Sequence, residues 1–201
     1  MSIHFLNDES FQRFNLKSDS NLILDQHCIK KSYCIDISDL LSIFLVLKNK
    51  QFMLIDLFAI DYLLYDRKRF AILYVMRSLY NNSEIIFKVE ISDKEEMYSL
   101  CGIFLCAEWF EREVFDMYGI IFLNHPRLER LLMEEDFNGY PLRKDFPLTG
   151  YKQMRYNILT GKVEKEDVNL TQEYRDFTSL SPWEGINNAR RIIEDKDKNA
   201  I

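Results

Sequence analysis

The sequence predicts an α+β fold: a mixed β-sheet in β-α-β-β-β order, covered by helices, with an extended C-terminal arm. Two patterns carry this prediction. Residues 84–91 alternate apolar and polar side chains, which is typical of a half-buried strand. Residues 103–118 instead repeat apolar side chains with the period of a helix, so the chain contains both kinds of element.

The predicted elements follow one another up to Gly119. We expect a strand at 33–37, a helix at 40–49, strands at 52–60, 70–79 and 84–91, and a long helix that ends at Gly119. Residues 81–83, Asn-Asn-Ser, have the composition of a hairpin turn between the last two strands. Ser92 and Glu95 have the spacing of a capping box, which predicts that helical structure begins near Asp93.

The long helix carries charge on a face that also holds aromatic side chains. Glu108, Arg112 and Asp116 are successive i, i+4 neighbours, which predicts an acid, base, acid ladder along the helix. Trp109 and Phe115 lie between these charges. Since the opposite face is apolar, we expect both faces to be covered, one by the sheet and the other by a partner.

Composition and charge exclude several classes of function. The 201 residues carry a net charge of −6 and no long basic cluster, which argues against nucleic-acid binding. The apolar runs are shorter than a membrane span, which needs about 20 residues, and residues 1–20 lack the pattern of a signal peptide. The sequence therefore predicts a soluble protein, at most peripheral to a membrane.

Cofactor and metal motifs are missing from the sequence. The six glycines never form G-x-G-x-x-G or a P-loop. The four cysteines, at positions 28, 34, 101 and 106, include no C-x-x-C pair, and the three histidines are scattered. We therefore expect buried, reduced thiols and no catalytic, cofactor-binding or metal-binding residue in this chain.

Two alternatives remain open at the level of the residues. Glu111, Glu113 and Asp116 are carboxylates close in sequence, and paired carboxylates can serve acid–base chemistry, although Glu111 and Glu113 point about 160° apart on a helix. Arg143 and Lys144, beside Asp145, form either an anion site or a salt-bridged loop.

Five blocks of sequence stand in a fixed order: EREVFDMYGIIF (111–122), NHPRLERLL (124–132), DFNGYPLRKDFPLTGY (136–151), EYRDF (173–177) and SPWEG (181–185). Together they resemble the C subunit of respiratory NADH:quinone oxidoreductase, the bacterial complex I (the family of NADH dehydrogenase I C subunits). The resemblance is close over about residues 107–185, and the earlier strands and helix fit it in order.

The resemblance implies a cofactor-free structural subunit of the peripheral arm of that complex. FMN and iron–sulfur clusters then belong to partner subunits, and quinone is a substrate of the complex, which couples electron transfer from NADH to proton translocation. The expected partners are the D subunit, which forms the quinone site, and adjacent iron–sulfur subunits. The expected location is the cytoplasmic side of the cell inner membrane, or the matrix side if mitochondrial, reached only through the complex.

The resemblance also assigns family residues to this chain. The E-R-E-x-x-D motif falls on Glu111, Arg112, Glu113 and Asp116, and the family's histidine falls on His125. The other matched residues, expected at a partner interface, are Pro126, Pro141, Leu142, Arg143, Lys144, Asp145, Phe146, Pro147, Tyr174, Arg175, Pro182 and Trp183.

The chain departs from the family at four of the neighbouring positions. Members usually have a basic residue at the position of Glu129 and often an acidic one at the position of Arg127, so these two charges look exchanged. Asn138 and Tyr140 replace a more usual glutamate and histidine. These differences leave the local ion pairs open.

Four segments are expected along the chain. They are the α+β sheet domain with the long helix (1–123), an ordered loop and short helix that docks a partner (124–151), an extended arm that wraps a partner subunit (152–185) and a disordered tail (186–201). The equivalent subunit of a membrane-bound hydrogenase-type complex is a second interpretation, and a free-standing carboxylate-based enzyme is a third. We use the name docking segment for residues 124–151 below.

Overall fold

The computed structural model describes residue 14 and residues 16–18, 31–63 and 68–170. Its strands are β1 (Lys17–Ser18), β2 (Lys31–Cys34), β3 (Phe52–Asp61), β4 (Phe70–Ser78), β5 (Glu84–Ile91), β6 (Met97–Tyr98), β7 (Phe122–Leu123), β8 (Lys152–Asn157) and β9 (Lys162–Asp167). Its α-helices are α1 (Leu40–Asn49) and α2 (Ala107–Tyr118). The chain divides into two compact units, Met1–Gly150 and Tyr151–Ile201.

The first unit is built on a five-stranded mixed sheet in the order β1-β2-β5-β4-β3. Strand β2 runs parallel to β5, whereas the other neighbours are antiparallel. The predicted α+β class and the β-α-β-β-β order are confirmed. Strand β2 ends at Cys34, earlier than predicted, because a 3-10 turn at Ile37–Asp39 leads into α1.

Both α-helices pack on one face of this sheet. Phe44 of α1 is fully buried and lies 4.9 Å from Tyr74, 5.8 Å from Phe87 and 6.4 Å from Phe104, measured between ring centroids. These rings join α1 to the two central strands and to the turn that precedes α2. The core therefore forms where the predicted apolar faces of strands and helices meet.

Helix α2 begins later than the sequence predicts. The Ser92 N–H donates to the Glu95 carboxylate at 2.9 Å, as in a capping box, but the residues that follow form a turn and the short strand β6. The prediction that helical structure begins near Asp93 is therefore wrong. Capping contacts stabilise a helix only where the next residues continue it, and here Met97 is drawn into pairing with Phe122.

Gly119 ends α2 as predicted. Its φ of 75° is left-handed, and its N–H donates to the carbonyl of Phe115 at 2.8 Å. A side chain here would also collide with the ring of Tyr140, which approaches the ideal Cβ position to 2.5 Å. Gly119 thus lets the docking segment fold back closely over the end of α2.

The docking segment has little regular structure. Its described residues form loops and turns but no helix. The short helix expected in this segment, around Leu131, is therefore wrong. Gly139, with φ of 115°, allows a tight turn, and Phe146 lies 2.6 Å from its ideal Cβ position. Phe146 in turn lies 5.9 Å from the ring of Phe137. Main-chain and ring contacts, rather than a helix, order this segment.

The described part of the second unit, residues 151–170, is a β-hairpin. Strands β8 and β9 pair antiparallel from Lys152↔Asp167 to Asn157↔Lys162. A single extended arm was predicted from 152, and the structure differs because Gly161, with φ of 64°, allows the chain to turn back. The rest of the predicted arm and the predicted tail lie outside the described residues.

The helices of the described ranges are all too short or too polar to cross a membrane.

We expect Phe44→Ala to lower the free energy of unfolding of the full chain by about 3–5 kcal/mol, because it opens a cavity among buried rings. Leu45→Ala is the matched control on the same helix, since Leu45 is 52% exposed, and we expect a change within about 0.5 kcal/mol. Urea unfolding followed by circular dichroism measures both. Equal losses would contradict the placement of α1.

Candidate functional site

The charged face of α2 is covered by the chain itself. The side chain of Asp116 is fully buried, and its Oδ1 accepts a hydrogen bond from Nη1 of Arg130 at 2.8 Å. Its Oδ2 accepts from the backbone N–H groups of Leu131 at 3.1 Å, Leu132 at 2.7 Å and Met133 at 2.8 Å. One carboxylate on the helix thus holds consecutive residues of the docking segment.

These donors keep Asp116 ionised. Burial alone would raise the pKa of this carboxyl group. The Met133 N–H, the Arg130 guanidinium and the N–H groups of Leu132 and Leu131 outweigh that effect and hold its pKa below the ordinary value. The buried charge is therefore fully matched, as a charge removed from water must be.

Arg130 extends the same contact into the tight turn. Its Nη2 donates to the carbonyls of Phe137 at 2.9 Å and Gly139 at 3.1 Å. The guanidinium also lies 5.7 Å from the ring of Phe137 and 5.4 Å from the ring of Tyr140. Arg130 thereby connects α2 to both ends of this turn.

Arg112 does not form the predicted ladder. Its Nε donates to the carbonyl of Glu129 at 3.3 Å and its Nη2 to the carbonyl of Arg130 at 3.1 Å. Within the described ranges no ion pair joins it to Glu108 or Asp116. The docking segment approaches so closely that its carbonyls replace the neighbouring helix carboxylates as acceptors.

The docking segment therefore covers Arg112 and Asp116 on this helix face, where the sequence interpretation expected a partner. Two large apolar side chains of the region nevertheless remain exposed, Leu105 at 86% and Trp109 at 60%. The guanidinium of Arg112 lies 5.5 Å from the Trp109 ring and supports it from the protein side.

Glu111 lies at the centre of a buried polar cluster. Its Oε1 accepts from the Leu100 N–H at 2.7 Å, and its Oε2 accepts from the Ser99 hydroxyl at 2.6 Å and the Cys101 thiol at 3.4 Å. Burial raises the pKa of Glu111, although these donors and the nearby His125 lower it in part. Burial, together with the Glu111 carboxylate, raises the pKa of Cys101 to about 11, so its thiol stays protonated at neutral pH.

His125 is fixed by two backbone groups. The Arg127 N–H donates to its Nδ1 at 3.1 Å, so a neutral ring carries its proton on Nε2, which lies 3.1 Å from the carbonyl of Glu108. Arg127 also pairs with Glu129 at 3.0 Å, and both side chains are exposed. The two charges that the sequence left open therefore pair with each other.

A second brace joins the docking segment to the end of β3. The buried carboxylate of Asp61 accepts from Arg69 at 3.2 Å and from the backbone N–H of Lys144 at 2.8 Å. Arg69 also pairs with Asp145 at 2.8 Å. Burial raises the pKa of Asp61, but Arg69 and the Lys144 N–H outweigh this effect and lower it. The run around Lys144 is thus a salt-bridged loop, and no anion is needed to explain its charges.

Arg143 completes this second brace. It pairs with Asp93 at 3.2 Å and donates to the carbonyl of Tyr118 at the end of α2. The guanidinium groups of Arg143 and Arg69 lie 5.2 Å and 4.9 Å from the ring of Phe70. The aromatic start of β4 is therefore held between two cations.

The remaining predicted residues are placed as follows. Leu142 is exposed, although its N–H donates to the carbonyl of Met117 at 3.2 Å. Glu113 and Pro126 are exposed, and Pro141 and Pro147 are half-buried in the same segment. Four of the predicted residues lie outside the described part of the chain: Tyr174, Arg175, Pro182 and Trp183.

The sequence interpretation missed several residues of the site. Arg130 stands in a recognised block, but only its approach to Asp116 reveals its role. Asp61 gave a weak signal, a carboxylate at the end of an apolar strand, whereas Ser99 and Cys101 gave none. Cys101 lies close to Glu111 and His125 in space, with ligand atoms of all three within 4.8 Å of one another, although their spacing forms no cluster in the sequence. Cys106 is exposed rather than buried as expected.

The fold and the site define an α+β protein in which buried charges brace a loop-rich segment against one helix and one strand. The family model described as "Respiratory-chain NADH dehydrogenase, 30 Kd subunit" matches residues 33–152. The chain belongs to this family. The resemblance drawn from the sequence blocks is thus confirmed, and the match reaches further towards the N-terminus than the blocks do.

Similar proteins carry a consistent name. The NADH-quinone oxidoreductase C subunit of Neorickettsia sennetsu is 46% identical over 134 residues, which cover 66% of this chain and 72% of that protein. The protein of the same name from Wolbachia of Brugia malayi is 48% identical over 134 residues, covering 66% and 70%. That from Maricaulis maris is 46% identical over 145 residues, covering 72% and 70%.

A solved structure supports the fold. A chain in the structure of the membrane-bound sulfane sulfur reductase, an archaeal respiratory membrane complex, aligns with a TM-score of 0.60 at 18% identity. The alignment covers 71% of this chain and 84% of that chain.

We expect Asp116→Asn to lower the free energy of unfolding by about 3–5 kcal/mol, because it leaves the Arg130 charge without its buried partner. Glu113→Gln is the matched control, since Glu113 is an exposed carboxylate on the same helix, and we expect a change within about 0.5 kcal/mol. Urea unfolding of the full chains gives both values. A loss below about 1 kcal/mol for Asp116→Asn would contradict the brace.

The stabilisation by Asp116 should depend on pH. Because its pKa is lower in the folded chain than the ordinary value of about 3.9, its contribution is complete above that value and is lost as pH falls through the folded pKa. The difference in unfolding free energy between the wild type and Asp116→Asn should therefore be constant above about pH 5 and shrink below about pH 4. Unfolding curves across this pH range measure the difference, and a difference that grows on acidification would contradict the prediction.

Proposed function

We propose that this chain is a cofactor-free structural subunit of the peripheral arm of NADH:quinone oxidoreductase. In that complex electrons pass from NADH through FMN and iron–sulfur clusters of other subunits to quinone, coupled to proton translocation. This chain supports the D subunit, which forms the quinone site, and contributes no active site of its own. Its family and the shared name of its relatives, the C subunit of NADH-quinone oxidoreductase, support the assignment.

The observation that supports the structural role is that charged side chains, two of them from the family motif, bond to backbone groups of the docking segment. Asp116 and Arg112 form hydrogen bonds with backbone groups of the docking segment. Asp61 does the same at the backbone of Lys144. Groups engaged in this way are already satisfied by the fold, so they shape a surface rather than attack a substrate.

The geometry speaks against a free-standing carboxylate enzyme. Glu111 is fully buried, whereas Glu113 is exposed, so the two do not share a cleft. Asp116 is occupied by Arg130 and by backbone N–H groups. Chemistry by paired carboxylates needs two of them to face the same substrate, and these three carboxylates offer no such pair.

The equivalent subunit of a related membrane-bound complex is the second candidate. The fold shared with the archaeal membrane-bound sulfane sulfur reductase favours it. Relatives 46–48% identical bear the name of the C subunit of NADH-quinone oxidoreductase, which favours the first candidate. Identification of the proteins that co-purify with a tagged chain separates the two.

We assign the partner contact to the exposed apolar side chains beside the braced segment. Leu105 and Trp109 lie at the start of α2, and Leu132, Leu142 and Leu148 lie on the docking segment, each at least half exposed. Burial of such side chains drives association of subunits, and tryptophan beside arginine is typical of interface hot spots. Contact with the D subunit would hold the chain at the cytoplasmic side of the inner membrane.

We expect Trp109→Ala to weaken assembly of the peripheral arm by about 2 kcal/mol or more, roughly a thirtyfold loss of affinity, because Trp109 anchors the partner surface. Blue native electrophoresis and NADH:quinone reductase activity of membranes from a strain that carries only the variant measure the effect. Tyr80→Ala is the matched control, since Tyr80 is an aromatic residue 82% exposed on the β4–β5 turn.

The isolated Trp109→Ala chain should unfold like the wild type, which separates lost assembly from lost folding. Normal assembly with Trp109→Ala, or equal losses with Tyr80→Ala, would contradict this partner surface.

A further inference from the structure

The buried polar cluster around Glu111 has the ligand types of a metal site. The Cys101 thiol, the Glu111 carboxylate and the His125 imidazole each place one ligand atom within 4.8 Å of the other two. Thiolate, imidazole and carboxylate are the three protein ligands of Zn²⁺. In a tetrahedral zinc site with bonds of about 2.0–2.3 Å, the ligand atoms lie about 3.3–3.8 Å from one another. In this chain Cys101 Sγ already lies 3.4 Å from Glu111 Oε2.

We propose that Cys101, Glu111 and His125 bind Zn²⁺ or a similar divalent transition-metal ion. Three protein ligands leave a fourth position for water. The site goes beyond the structural role proposed above, because it does not depend on which complex the chain joins.

The backbone holds the three ligands on separate elements that are already connected. Strands β6 and β7 pair in parallel, with Met97 opposite Phe122, so the turns that carry Cys101 and His125 start from the same short ladder. Glu111 projects from α2 between them and accepts the N–H of Leu100 at 2.7 Å. The three ligand atoms are therefore held near one another, and their separations must shrink by at most about 1.5 Å to fit a tetrahedral ion.

The electrostatics of Glu111 favour a cation. Its side chain is fully buried, and among the described residues no Lys or Arg side chain bonds to it, unlike Asp116 or Asp61. A buried carboxylate must be matched by a cation or take up a proton. A divalent ion with one thiolate and one carboxylate ligand forms a group without net charge, which can remain buried.

A buried hydroxyl group of strand β4 feels the charge of Glu111. The hydroxyl of Tyr74 is fully buried and has no hydrogen-bond partner among the described residues. Burial raises the pKa of Tyr74, and the Glu111 carboxylate raises it further, so the two groups interact.

The surrounding contacts resemble the outer shell of a metal site. The Ser99 hydroxyl orients Glu111 at 2.6 Å and accepts the N–H of Cys101 at 3.1 Å. The ring of His125 is oriented by a backbone carbonyl, as metal-bound histidines usually are, and it gives up one of its two backbone hydrogen bonds on ligation.

Metal binding is balanced by proton release. Zn²⁺ forms a bond to Cys101 Sγ as the thiol proton leaves to solvent, and any proton on Glu111 leaves as well. No electron is transferred. Because a ligand proton leaves as the metal bond forms, affinity should rise with pH over the neutral range.

The test measures zinc affinity of the full chain after removal of metals with a chelator, in competition with a chromophoric zinc chelator. We expect one zinc ion per wild-type chain and loss of that ion in Cys101→Ser and in His125→Gln. Ser99→Ala should weaken affinity by about 10–100-fold, as changes of outer-shell residues do. Cys106→Ser is the matched control, because this exposed thiol is outside the cluster, and it should bind like the wild type.

A second measurement does not depend on folding of the ligand variants. In a chain whose other cysteines are replaced, by Cys28→Ser, Cys34→Ser and Cys106→Ser, Co²⁺ should still give the near-ultraviolet absorption of a thiolate–cobalt bond through Cys101. Zinc binding that is equal in wild type and Cys101→Ser, or a triple variant without the cobalt absorption, overturns the proposal.

Discussion

The carboxylate of Asp116 fixes a stretch of main chain that has no regular secondary structure of its own. Backbone N–H groups in such a stretch must find acceptors, and three successive ones find the same buried oxygen. Arg130 neutralises the charge and reaches on to the tight turn at Gly139. Without this contact the docking segment would be a loop without a fixed conformation.

Two braces at separate points explain why a segment without a helix can present a defined surface. Asp116 and Arg112 hold its first half to α2, while Asp61 and Arg143 hold its second half to β3 and to the end of that helix. Exposed apolar side chains such as Leu132 stand on the braced segment. A surface with fixed geometry loses less conformational freedom on binding, which suits a protein that must dock in one way.

Three sides of helix α2 contact three different parts of the chain: the core, the docking segment and the turn after β6. Val114 packs into the core, Asp116 bonds the docking segment and Glu111 lies in the polar cluster beside the turn that follows β6. The side chain of Trp109 stays exposed. Three of the four charged motif residues, Glu111, Arg112 and Asp116, bond different pieces of backbone rather than one another.

The sequence by itself determined the α+β class, the order of the strands, the end of α2 at Gly119 and the family. Periodicity and turn residues are local properties of the sequence, and a block such as EREVFDMYGIIF indicates the family without any knowledge of the fold. Tertiary structure alone decided that Arg112 bonds carbonyls of the docking segment instead of Asp116, and that Cys101, Glu111 and His125 meet. The physical reason is that any residue's backbone can accept or donate these hydrogen bonds, so side-chain spacing carries no record of which distant segment will supply the partner.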